Sequence, residues 1–275
     1  MRPGHHRAQG LLLHDTVAFT ADGTPLGVVQ ARTWVRPKEK PAPPPPKKRG
    51  PKPKNAPCEP PKNDGKSESE KWLASFREVA RIQPLLSGTR LVSVGDREAD
   101  FYALFREATA DPRGPSLLVR AVRNRKTADA APLWKSLEKR ASAGMMVVEI
   151  PRKGGRPGRT ARMSVRFGSF EIASPEQGPW KGSPSLRLQA LVVTETDPPE
   201  GVAPLEWKLL TTGPVDSLEK ATCVVKWYAR RWGIEVFHRT PRGPAAASKT
   251  ASWAMITVLK PVWRSTWWWR GASSI

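Results

Sequence analysis

Two acidic residues, Asp96 and Glu235, stand 139 positions apart, and the second is preceded at short range by Tyr228 and Arg231. Carboxylates held by regular elements are suited to divalent cations and phosphoryl transfer, and an arginine beside them is suited to gripping a phosphate. The surroundings of each residue say how it is presented. Leu91-Val92-Ser93-Val94 is aliphatic and β-branched, bounded by Gly-Thr before and Gly-Asp after, and reads as a short buried strand. Asp96 then lies at the C-terminal end of a strand, on the rim of a sheet where α/β proteins bind ligands. Tyr228, Arg231 and Glu235 follow the i, i+3, i+7 spacing of a helix and fall within roughly 60° of one another.

Each group also has a plainer role. Asp96 suits the N-cap of a following helix, with Arg97, Glu98 and Asp100 as its solvated first turn. Arg231 and Glu235 make an i,i+4 pair worth a few tenths of a kcal/mol on an exposed stripe. Trp227, Trp232, Ile234 and Phe237 would cover the other faces of that helix, which turns the charged face toward a cleft rather than open water.

The elements needed to position these residues alternate along the chain. Residues 1–36 hold a β-hairpin, Leu11 to Thr20 and Gly27 to Val35, joined by Ala21-Asp22-Gly23-Thr24-Pro25. Residues 37–66 carry 11 prolines, nine Lys/Arg and three acidic residues, an extended, mobile, basic linker. Within it Lys47 to Lys54 faintly resembles an AT-hook lacking its second arginine, so loose phosphate contact is the expectation. Residues 67–142 read as helix (Glu70 to Leu86), strand (89–95), helix (Glu98 to Ala108) and strand (Ser116 to Val122), an α/β core. Residues 143–213 change to strands: Met145–Ile150, Arg162–Ile172, Leu186–Thr194 and Leu205–Thr211. Residues 214–239 are a helix opened by the capping-box pair Asp216 and Glu219.

Composition narrows the partner. With 46 Lys+Arg against 25 Asp+Glu the formal charge is +21, which favours a polyanion. Two isolated cysteines, the adjacent His5 and His6 and the isolated His14 and His238 give neither a disulfide framework nor a histidine or zinc pattern, and imply a reducing cytoplasm. No apolar run approaches the roughly 20 residues of a membrane span.

Val94 to Tyr102, Val-Gly-Asp-Arg-Glu-Ala-Asp-Phe-Tyr, and Trp227 to His238, Trp-Tyr-Ala-Arg-Arg-Trp-Gly-Ile-Glu-Val-Phe-His, together resemble the two halves of a known site. They look like the DDE insertion-sequence transposases with the Tyr-Arg-Glu-Lys signature, the type-four insertion-sequence family. The resemblance covers roughly residues 8–239. It implies an α/β fold with an RNase H-like core, interrupted by the β-rich segment 143–213, and incomplete at both ends in this chain. It implies cut-and-paste transposition of double-stranded DNA at transposon ends, nucleoid-associated in a bacterial cytoplasm, by a homodimer or a mixed assembly with a full-length relative. Asp96 is similar to the family's second catalytic Asp and Glu235 to its catalytic Glu, which together would hold Mg²⁺ (or Mn²⁺). Tyr228 and Arg231 occupy the signature's backbone-gripping positions. Trp207 matches a tryptophan that receives a flipped base, although a buried core Trp on a strand explains it equally. Arg242 stands where the signature has Lys, among Pro241 and Pro244 that cannot continue a helix.

The family's first catalytic Asp lies on a strand upstream of the segment resembling Gly10 to Ala18. Asp15 aligns with a later strand and is not its substitute. The expectation is therefore a copy with little or no catalysis, the alternative being a non-catalytic basic DNA-binding remnant that interferes with a full-length transposase. Residues 240–275 lack Asp and Glu yet hold five of 12 tryptophans. Trp has the single codon TGG, so Trp267-Trp268-Trp269-Arg270 read one base earlier becomes (Leu/Met/Val)-Val-Val-Ala. The tail is thus expected to be out of frame after Arg239, without a selected fold.

Overall fold

Hairpin, crossover and meander segments all feed one sheet. The computed structural model describes residues 11–35, 68–150, 152, 157–239 and 252–259. The chain opens with β1 (Leu11–Thr20) and β2 (Pro25–Val35), the expected hairpin. Gly23 in its turn holds a φ of +97°, a conformation that an L side chain rarely adopts, and donates its N–H to the Thr20 carbonyl at 2.9 Å. Then come α1 (Glu68–Ile82), β3 (Arg90–Gly95), α2 (Tyr102–Ala110), β4 (Ser116–Arg120) and α3 (Leu133–Glu138). The meander is β5 (Gly144–Ile150), β6 (Arg159–Ile172), β7 (Leu186–Glu195) and β8 (Glu206–Thr211). The helices α4 (Leu218–Arg230) and α5 (Trp232–Arg239) and the strand β9 (Ser252–Leu259) complete the described elements.

The nine strands form a single sheet in the order β2-β1-β9-β3-β4-β8-β7-β6-β5. β3 and β4 are parallel, as are β1 and β9, and the other neighbouring pairs are antiparallel. The molecule is therefore mixed α/β, dominated by strands. Side chains of β3 and β4 are buried on both faces, which is why these strands read as continuous apolar runs. One face packs Val92, Val94, Leu118 and Leu209 against Val224, Val225, Trp227 and Ile234 of α4 and α5. The other packs Leu117, Val119, Leu188 and Leu210 against Trp72, Phe76, Leu104, Phe105, Leu133 and Leu137 of α1 to α3.

Four expectations are corrected here. The helix after Asp96 does not start at Glu98: residues Arg97–Ala99 form one 3-10 turn, and the α-helix begins at Tyr102. The α4 cap is Ser217, whose side chain accepts from Lys220 N, while Asp216 pairs with Lys220 Nζ at 2.7 Å. The helix of residues 214–239 is two helices, broken at Arg231. Gly233 follows the break, and a Cβ there would stand 3.3 Å from Phe19 Cε1, so the interruption lets α5 close onto β1. Last, the tail expected to be without a selected fold supplies β9, an interior strand third from the β2 edge. An apolar, β-branched run pairs wherever two open edges offer it hydrogen bonds, whatever reading frame produced it.

The basic linker with its Lys47 to Lys54 segment, Arg242 and the Trp-rich residues 263–269 lie outside the described residues. Among the described residues no helix is long and apolar enough to cross a membrane.

Candidate functional site

Asp96 leaves β3 in extended conformation, and its Oδ1 accepts the Glu98 N–H at 2.9 Å. It thus does cap, but it caps a single 3-10 turn. The turn is tight because Gly95 precedes it: a Cβ at 95 would lie 2.5 Å from Ala99 Cβ and 3.3 Å from the Trp72 ring. Glycine is required there by close approach. The chain folds back on itself and hands Asp96 to the rim.

Two cations from distant elements stand near that carboxyl. Arg231, at the junction of α4 and α5, is close enough for its charge to act on Asp96. Lys71 of α1 acts on it too, and also pairs with Glu98 at 2.7 Å while lying over the Trp34 ring at 5.9 Å. Burial pushes the Asp96 carboxyl above the usual carboxylate range; the Glu98 N–H, Arg231 and Lys71 pull it back, and the Glu98 carboxylate adds to the rise. Lys71 is 7% exposed, unusual for a lysine. Sequence reading passed over it, yet it lies on the buried stripe of α1 with Ser75, Trp72, Phe76 and Val79, so the helical period marks it.

The remaining expected residues are placed as follows. Arg231 is half-buried, its N–H donating to the Tyr228 carbonyl at 3.1 Å. Glu235 is half-buried in the first turn of α5, four residues past Arg231 but across the helix break, so the single-face projection does not apply to it. Tyr228 is 4% exposed and Trp207 is 6% exposed, and their rings meet edge to face with centroids 5.5 Å apart. Both belong to the core between the sheet and α4. A base reaches neither ring in this arrangement, so the core role weighed for Trp207 describes its position.

Asp100, taken as part of a solvated first turn, is instead 3% exposed. One oxygen accepts the Val122 and Arg123 N–H groups at 2.7 and 2.9 Å, and the other pairs with Arg125 Nη1 at 2.5 Å. This carboxylate fastens the chain leaving β4 beneath the Asp96 turn. It is a structural anchor.

The third side of Asp96 is set by register. β9 pairs Met255 with Val94 on one edge and with Val17 on the other, and pairs position 253 with Asp15. Continued two residues, the first register brings position 253 level with Asp96. The strand beside β3 therefore adds no carboxylate, since Ser252 to Leu259 contains none. Asp15, two strands away from Asp96, is 5% exposed.

No protein-family model matches the chain. Among the described residues no three His, Cys, Asp or Glu side chains gather as a metal-binding group. Asp96 with a guanidinium in its field, and Glu235 on a separate helix, are a poor fit to a divalent ion, which prefers several oxygen ligands free of a competing cation. What the site does offer is a cationic pair, Arg231 and Lys71, around one carboxyl with raised proton affinity at a sheet rim.

Proposed function

We propose that this chain is a DNA-binding protein of the DDE insertion-sequence transposase kind, on an RNase H-like core, and that its ligand is double-stranded DNA at transposon ends. One observation carries the reading: the charge of Arg231, in the second motif, acts on the Asp96 carboxyl of the first, so two segments far apart in sequence come near one sheet rim. The parallel pair β3–β4 in one sheet with an antiparallel hairpin, β9 lying between them and α1 following the hairpin in sequence, supports the RNase H-like assignment. The formal charge of +21 supports a polyanionic ligand.

The resemblance assigns Mg²⁺ or Mn²⁺ to Asp96 and Glu235, where it would activate water and stabilise a leaving oxygen. The residues present hold such an ion poorly, so no cleavage step is assigned to this chain. Arg231 is suited to bidentate pairing with a backbone phosphate, and Lys71 adds positive potential without forked geometry. The carboxylate-free strand beside β3 favours binding without cleavage. Such a chain competes with a full-length relative for DNA ends or joins it in mixed assemblies.

The test pairs anisotropy on labelled end-containing DNA, over a salt series, with strand nicking in Mg²⁺ or Mn²⁺. Salt-sensitive binding is expected, unchanged in Asp96→Ala and Glu235→Ala, weakened by about 1–3 kcal/mol in Arg231→Ala, and without nicking. Robust nicking lost in Asp96→Ala overturns the binding-only assignment. Binding that ignores salt overturns the DNA reading itself.

A further inference from the structure

β9 is held differently from every other strand. Seven of its residues register on β1 and five on β3, so both edges are paired, yet it is joined to the rest of the chain only after α5. Met255, Ile256 and Thr257 are 0%, 1% and 1% exposed and fill the space between hairpin and core. Among the described residues, the hairpin β1–β2 has no other strand beside β1. A chain with β9 withdrawn thus presents two open edges facing one slot.

The strand itself, Ser-Trp-Ala-Met-Ile-Thr-Val-Leu, has no charge, no proline and no glycine. Such a segment does not stay unpaired in water. The slot is shaped to these eight residues by two registers and three buried side chains, and only another copy of this chain presents the same eight. The ladders and packing made in trans are identical to those made in cis, which is the condition for exchange of an element between protomers.

We propose that β9 is an exchangeable strand, and that the slot between β1 and β3 accepts Ser252–Leu259 of a second copy to form a strand-swapped dimer. The covalent tether of the closed form sets an effective concentration that the second copy must match. The dimer is therefore a minor species that grows with chain concentration. The inference does not depend on DNA binding, and its test does not use DNA.

Val92 and Thr257 are a registered pair, both buried, and each tolerates a residue close to cysteine in size. In a full chain carrying Cys58→Ser and Cys223→Ala, V92C and T257C are made separately and together. The double variant, oxidised at low concentration, is expected to cross-link internally. A mixture of the two single variants is expected to yield a 92–257 cross-link between chains. Its fraction rises about tenfold for a tenfold rise in concentration while the dimer is scarce, by mass action. An internal cross-link with none between chains overturns the proposal, and so does the absence of both.

The unsubstituted chain gives a second reading independent of those changes. Heavy- and light-isotope copies are expected to form mixed dimers in native mass spectrometry, suppressed by an excess of a synthetic peptide of residues 252–259. Mixed dimers that ignore the peptide place the interface elsewhere and overturn strand exchange.

Discussion

From β8 outward to β5, neighbouring strands of the sheet are consecutive in sequence; on the other side, β9 stands between β1 and β3, which lie far earlier in the chain. The first half is a meander whose registers are set by short connections, and its outer strand alternates buried Met146 and Val148 with exposed Met145 and Val147. The second half is assembled: a hairpin from the start, a strand from the middle and β9 from beyond residue 250 meet in the order β1-β9-β3. Local pairing makes a half-sheet robust to single changes, whereas assembly concentrates its stability in one inserted strand. The candidate site sits on the assembled side.

A charge placed in each half gives the largest contrast. Ile256→Asp buries an unpaired carboxylate at a fully paired strand and is expected to cost at least about 4 kcal/mol in denaturant unfolding. Val147→Asp, on the exposed face of β5, is expected to change stability by no more than about 0.5 kcal/mol. Equal losses would erase the distinction between the halves.

Asp100→Ala comes next. It strands Arg125, whose side chain is 10% exposed, and is expected to cost about 3 kcal/mol, read by the same unfolding curves. Gly95→Ala is expected to cost about 1–3 kcal/mol, because its Cβ meets Ala99 and Trp72.

The smallest effect is a pH dependence. The Asp96 carboxyl is raised by burial, so its charged form costs folding stability above the folded-state value, and the cost fades as pH falls into the ordinary carboxylate range. Asp96→Asn, which keeps an oxygen for the Glu98 N–H, is expected to stabilise the chain modestly at neutral pH. That gain should disappear in acid, measured as thermal midpoints across pH. A gain that persists in acid would mean that burial of the charge is not its source.

Sequence reading reached the two halves unequally, and the cause is physical. Period-two alternation and turn chemistry located β6, β7 and β8 to within a few residues, since those signals are local. The run Leu91 to Gly95 and its rim aspartate were equally legible. Nothing local announces that Ala254 to Leu259 pairs between two strands more than 150 residues upstream. The helix projection grouped Tyr228, Arg231 and Glu235, but the break at Arg231, tied to the packing of Gly233 on Phe19, is a tertiary requirement. Burial of Asp100 and of the Trp207–Tyr228 pair likewise depends on partners from other elements, which periodicity does not name.

Since β9 follows every other described strand, it is the last of them to leave the ribosome. Whatever else has folded by then, the nascent hairpin waits without a lateral neighbour and β3 offers a bare flank. Completion of the core is therefore a late event for this part of the chain, and a premature stop anywhere before Ser252 would release a molecule unable to finish its own sheet.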